Sequence, residues 1–106
     1  MSTDRDLISK AAKAAGIDLI WKDEMTPYSA ARGYWNPLRE DSDAFRLLRQ
    51  VDYGLLVEDG VVKIINNLGG CVLFLEIRDA DEMTIIRRAI TMAAAAAWSP
   101  GENDGR

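Results

Sequence analysis

The dipeptide Asp59-Gly60 separates two runs rich in β-branched and apolar residues, 53–58 and 61–66. A two-residue hairpin turn needs positive φ at both central positions, and Asp-Gly accepts this at low cost. If these two residues form the turn, Glu58 opposes Val61 and Val57 opposes Val62. That register assigns every side chain of the hairpin to a face. One face carries Tyr53, Leu55, Val57, Val62 and Ile64 and is expected to be core. The other carries Gly54, Leu56, Glu58, Val61, Lys63 and Ile65, a mixed set expected to be only partly covered. Asn67-Leu68-Gly69-Gly70 makes the next turn, and 71–77 is the last strand. Its residues Cys71-Val72-Leu73-Phe74-Leu75 are apolar at five successive positions. Such a run predicts burial on both faces, with helices supplying the cover.

Three helices are expected. Residues 4–15 place Leu7, Ile8, Ala11, Ala12 and Ala15 on one stripe, with Ser2 or Thr3 as cap and Gly16 as the left-handed stop. Residues 41–51 place Ala44, Leu47, Leu48 and Val51 inward, with Phe45 alongside, Arg46, Arg49 and Gln50 outward, and Asp41 or Ser42 as cap. Residues 80–98 form the last helix. Ile86, Ile90, Ala93 and Ala97 lie on its buried stripe, and Thr84, Arg87, Arg88 and Thr91 on its polar side. A short strand is expected at 17–22, followed by a long loop at 23–38 that contains Pro27, Gly33 and Pro37. The predicted order is α-β-α-β-β-β-α. This is an α/β (α+β) fold: one small domain over 1–98, with a four-stranded, mostly antiparallel sheet covered by helices. The polar segment 99–106 is expected to be a disordered tail.

Composition limits the chemistry. The chain of 106 residues has no histidine and one cysteine, which removes most hydrolase triads, disulfides and the usual zinc sites. A net charge of -4 argues against a basic nucleic-acid footprint. No apolar run is long enough to cross a membrane, and the charged first ten residues lack the apolar core of a secretory leader. No cofactor, no metal and no catalytic set is therefore expected. The expected location is the cytoplasm.

Trp35-Asn36-Pro37-Leu38, followed by Asp43-Ala44-Phe45-Arg46-Leu47 at the start of a helix, resembles a family of small phage-encoded proteins described as a phage alpha-beta-alpha sandwich domain. The late helix with Ile85-Ile86-Arg87-Arg88-Ala89-Ile90 is similar to that family's Arg- and Ala-rich C-terminal helix. The resemblance implies a phage or prophage origin, a host-cell cytoplasm and a three-layer fold. It implies no activity, since the family as a whole has no established one. The chain departs from the pattern in the long aromatic loop before Trp35 and in the very apolar strand at 71–75.

Tyr28, Arg32, Tyr34, Trp35 and Asn36 are the candidate binding residues, because Tyr, Trp and Arg are the usual anchors of protein interfaces. The competing reading has the rings roof the sheet, Trp35 seal the core edge, and Pro37 fix the chain for Leu38 to staple the second helix. The acidic groups Glu40/Asp41/Asp43 and Asp79/Asp81/Glu82 sit at predicted helix starts, where exposed N–H groups favour negative charge, so they are read as caps rather than a metal site. Arg87 and Arg88, with Lys63 if it lies near, make only a weak anion site. Cys71, without a histidine partner, is expected to be buried and inert. The sequence thus favours a non-enzymatic phage accessory protein that binds a host or phage macromolecule, for example to counter a host defence. The expected partner is a protein. The alternatives are a structural homo-oligomer built on the alanine helix or the loop aromatics, and a small-ligand binder using a pocket beneath the loop.

Overall fold

The Asp59-Gly60 turn closes the hairpin in the register derived above. Asp59 and Gly60 have φ of 54° and 73°, and Glu58 pairs with Val61 and Val57 with Val62. The fold is a computed structural model, and it describes residues 3–23, 26–31 and 33–98. The tail expected at 99–106 and the candidate residue Arg32 lie outside the described residues.

Among the described residues three helices are separated by two runs of three strands: α1 (Asp4–Ala14), β1 (Leu19–Asp23), β2 (Thr26–Ser29), β3 (Gly33–Tyr34), α2 (Asp41–Gln50), β4 (Gly54–Glu58), β5 (Val61–Ile65), β6 (Cys71–Glu76) and α3 (Glu82–Ala97). Local chemistry sets the helix ends. Thr3 Oγ1 accepts from the Asp6 N–H at 3.1 Å. After α1, Gly16 takes φ 73° and the Ile17 N–H returns to the Ala12 carbonyl at 2.8 Å, a left-handed cap that any Cβ would strain. After α2, Asp52 does the same at φ 61°, with Tyr53 N–H donating to the Leu48 carbonyl at 3.1 Å. Asp81 caps α3 by accepting from the Thr84 N–H and side chain. The Thr84 side-chain hydrogen bond, ahead of the other contacts, lowers the Asp81 pKa below the ordinary carboxylate value. A depressed carboxyl stabilises the fold above its unfolded-state pKa, and that contribution is lost as pH falls into the acid range.

The strands form two sheets where one of four strands was expected. β1, β2 and β3 make one antiparallel sheet, and β4, β5 and β6 make another. The strand expected at 17–22 therefore does not join the hairpin sheet. The loop expected at 23–38 supplies its partners, because Leu19 pairs with Ser29 and Ile20 with Tyr28. Pro27 is tolerated in the middle strand for two reasons. It lies where the β1–β2 register shifts, between Trp21 and Asp23, and on the β3 side only its carbonyl is used, accepting from the Trp35 N–H at 3.2 Å.

The core lies around α3. Its Ile86, Ala89, Ile90, Ala93 and Ala94 are buried with Ile8, Ala11 and Ala12 of α1, Ala44 and Leu47 of α2, Val62 and Ile64 of β5, and Trp35. Thr91, expected on the polar side, is fully buried. Its hydroxyl donates to the Arg87 carbonyl one turn back at 2.8 Å, so the burial leaves no donor unpaired. Two further expectations are corrected. The N-cap of α2 is Glu40, without a side-chain hydrogen bond. β6 is not buried on both faces, since its residues alternate toward solvent along most of the strand.

Trp35 is 1% exposed and among the largest fully buried side chains. Truncating it leaves an indole-sized void that rigid neighbours fill only in part. Trp35→Ala is expected to lower the unfolding free energy by about 3–5 kcal/mol in a urea titration. A loss below about 1 kcal/mol would contradict this placement.

Candidate functional site

The structure divides the four sequence-predicted binding residues that it describes. Tyr28 and Tyr34 face each other as Cα partners across β2 and β3. Tyr34 is 42% exposed, and Tyr28 is half-buried beneath the Lys22 ammonium, 4.2 Å from its ring centroid. Trp35 and Asn36 turn inward. The Asn36 N–H donates to Asp43 Oδ2 at 2.9 Å, its Oδ1 accepts from the Leu38 N–H at 3.0 Å, and its Nδ2 donates to the Tyr34 hydroxyl at 3.1 Å. Every polar atom of this buried residue serves the turn itself. The distinctive Trp-Asn-Pro-Leu segment is thus a structural corner. It is held on its far side by Arg87, whose Nε donates to the Leu38 carbonyl at 3.1 Å and whose guanidinium pairs with Asp41 at 2.6 Å.

Several of the acidic and basic groups singled out in the sequence are occupied in the same way. Asp41 and Asp43 hold Arg87 and Asn36, and Asp81 caps α3. Lys63 pairs with Glu58 at 3.2 Å on β4, away from Arg87 and Arg88. Among the described residues no group of three or more His, Cys, Asp or Glu side chains is placed to hold a metal ion.

The open surface lies elsewhere, on the outer face of the second sheet. Val62 and Ile64 of β5 point to the helices and are fully buried. The alternate residues point away. Leu56, Lys63 and Phe74 lie side by side across the three strands. Glu58, Val61 and Glu76 form the next row, and Gly54, Ile65 and Cys71 the row on the other side. A register irregularity between Ile64 and Ile65 leaves Val72 as an extra residue in β6. Phe74 is 63% exposed, Leu56 39% and Val72 37%, and Leu68 at the adjoining turn is 90% exposed.

The charges around this face are largely spent on one another. Lys63 pairs with Glu58, and Arg78 pairs with Glu76 at 3.1 Å. Asp59 and Asp79 add negative charge at the turn end, where Ile77 N–H meets the Gly60 carbonyl. The surface is largely apolar, crossed by the Lys63–Glu58 pair, with an acidic rim at one end. β6 also forms one edge of its sheet. The backbone groups on the outer side of an edge strand have no ladder partner within the sheet.

Sequence reasoning missed Phe74 because the run 71–75 was read as apolar on both sides. The signal was present in the hairpin register. Lys63 belongs to the outer face, so a strand pairing beside it shares a face with a charge and cannot be sealed there.

Cys71 is exposed, contrary to expectation. Its thiol makes one weak contact, donating to the Leu73 carbonyl at 3.6 Å. A thiol reagent is therefore expected to modify Cys71 completely in the native protein, at a rate unchanged when denaturant is added. Modification only after unfolding would show the outer face to be covered.

No described helix is long and apolar enough to cross a membrane. Comparison of the chain with protein-family models, with curated proteins and with solved structures gives no match.

Proposed function

We propose that this chain is a non-enzymatic binding protein, and that its partner is a protein with a basic rim and an apolar strand seated on the outer face of β4, β5 and β6. The observation that carries the reading is the exposed apolar pair Val72 and Phe74 on β6, with Leu56 exposed on the far side of Lys63. Isolated exposed apolar side chains are ordinary, but several on one sheet face, with an aromatic on the edge strand, are the pattern of an interface anchor. The edge of β6 adds a second means of grip, since an extended segment can pair with its free backbone groups while placing alternate side chains beside Phe74.

Charge favours a foreign partner over a second copy. The chain carries a net charge of -4, and Asp59 and Asp79 add to the acid at one end of the strip. Two such bodies repel, whereas a basic partner is steered in. The absence of histidine and the lone cysteine favour binding over catalysis. The resemblance of Trp35-Asn36-Pro37-Leu38 and the Asp43 helix start to a phage family supports a phage or prophage accessory role in the host cytoplasm. One use of a protein of this kind is to occupy a component of a host defence.

Phe74→Asp tests the reading, and at 63% exposure the residue can be changed without opening the core. Light scattering of the wild-type protein is expected to give the monomer mass of 11.8 kDa. Tagged wild-type protein and a Tyr34→Ala variant are expected to retain the same basic protein from a bacterial lysate. Phe74→Asp is expected to weaken that binding by at least about tenfold, and rising salt to weaken it further. Retention that ignores Phe74 would overturn the proposal. So would a dimer that Phe74→Asp dissociates, which would assign the face to a second copy.

A further inference from the structure

A second concave site lies among the helices and shares no residue with the outer sheet face, so it stands or falls separately from the partner reading. α1, β1, α3 and the 35–38 turn enclose a cleft of about 160 Å³. Its walls include Ile8, Trp21 and Leu38, and three arginines come to it from three parts of the chain: Arg5 from α1, Arg39 from just after the turn, and Arg88 from α3. Asp4 is the one acidic residue in the lining. The cleft therefore carries two net positive charges in a chain whose net charge is -4.

The arginines are held in different ways. Arg5 stacks its guanidinium over the Trp21 ring, 4.6 Å from the centroid. Trp21 is itself fixed, its indole N–H donating to Ser9 Oγ at 3.2 Å. Arg88 pairs with Asp4 at 3.2 Å through one of its nitrogens. The Arg39 guanidinium has no ion-pair partner among the described residues. A guanidinium presents its N–H groups as a planar fork that matches the oxygens of a carboxylate or a phosphate. A dry cavity of about 150 Å³ holds one benzene ring, so this cleft has space for a body of that size beside its indole wall.

We propose that this cleft binds a small anion: a terminal carboxylate or phosphate on a body about the size of one six-membered ring. The ring lies against Trp21, Ile8 and Leu38. The anionic group meets Arg39 and Arg88, and Arg5 closes over the Trp21 side. Asp4 opposes the ligand electrostatically while it orients Arg88.

Four probes of one shape separate charge from shape: benzoate, phenyl phosphate, neutral benzamide and cationic benzamidine. Each is titrated into the full-length ¹⁵N-labelled protein, with the Trp21 indole N–H and the arginine Nε–H resonances as readout. Benzoate, phenyl phosphate or both are expected to shift these resonances saturably, and the tighter of the two identifies the anionic group. Benzamide is expected to bind about tenfold more weakly or worse, and benzamidine not at all. Arg39→Gln, at an exposed position, is expected to weaken the anion by about tenfold with the fold unchanged. Asp4→Asn is expected to tighten it, an effect that a purely structural role for Asp4 would not produce. Benzamide binding as tightly as benzoate would overturn the proposal, as would the lack of a saturable shift with either anion. Arg39→Gln leaving the affinity unchanged would do so too.

Discussion

Close packing of α3 is the constraint on which the rest of the molecule depends. Its Ala89, Ala93 and Ala94 are fully buried, and it shares the core with α1, α2, β5 and Trp35. Small side chains on α3 meet Ala11 and Ala12 of α1. Alanine against alanine lets two helix backbones come near without a void, and protein interiors admit few voids. The larger residues Ile86 and Ile90 belong to the same buried cluster as Leu47, Val62 and Ile64. A chain of this size can build only one such core. The second sheet is covered on the side of α3, and its outer face remains open.

Arg87 joins this core to the Trp-Asn-Pro-Leu corner. It leaves α3 to reach the Leu38 carbonyl and the Asp41 carboxylate, while Asp43 of α2 accepts from the Asn36 N–H. The corner is therefore tied to both α2 and α3. Burial of Trp35 and Asn36 is the consequence, so the most distinctive sequence segment presents little surface to a partner. The remaining surfaces differ in chemistry. The outer sheet face is largely apolar around Lys63, with an acidic rim, and the helical cleft is apolar with a cationic rim. The proposed protein partner and the proposed small anion would occupy separate parts of one small domain.

The elements governed by local rules were legible in the sequence. Asp59-Gly60 determined the β4–β5 register, because a two-residue turn allows only one pairing. Gly16 and Thr3 marked the ends of α1. The first sheet was not legible. Thr26-Pro27-Tyr28-Ser29 and Gly33-Tyr34 are too short to show alternation, and Pro27 argues against a strand wherever a ladder hydrogen bond is required. They form strands because Leu19 and Ile20 offer an edge to pair with, a tertiary effect. The fate of β6 was misread because apolar content was taken as burial. Thr91 was misread because a hydroxyl can satisfy itself on its own helix. Of the candidate site residues, Tyr34 lies on the surface, Tyr28 is half-buried, and Trp35 and Asn36 are interior. The helical cleft draws its arginines from positions 5, 39 and 88, and no sequence spacing reveals that convergence.

Native-state hydrogen exchange, resolved by residue, tests the central role of α3 most directly. Amides in the middle of α3 and in β5 are predicted to exchange only through global unfolding, at the free energy measured by denaturant, while those of β2 and β3 exchange through smaller openings. Exchange in α3 as fast as in β2 and β3 would contradict the account, since a helix that opens on its own cannot be the shared wall of the core.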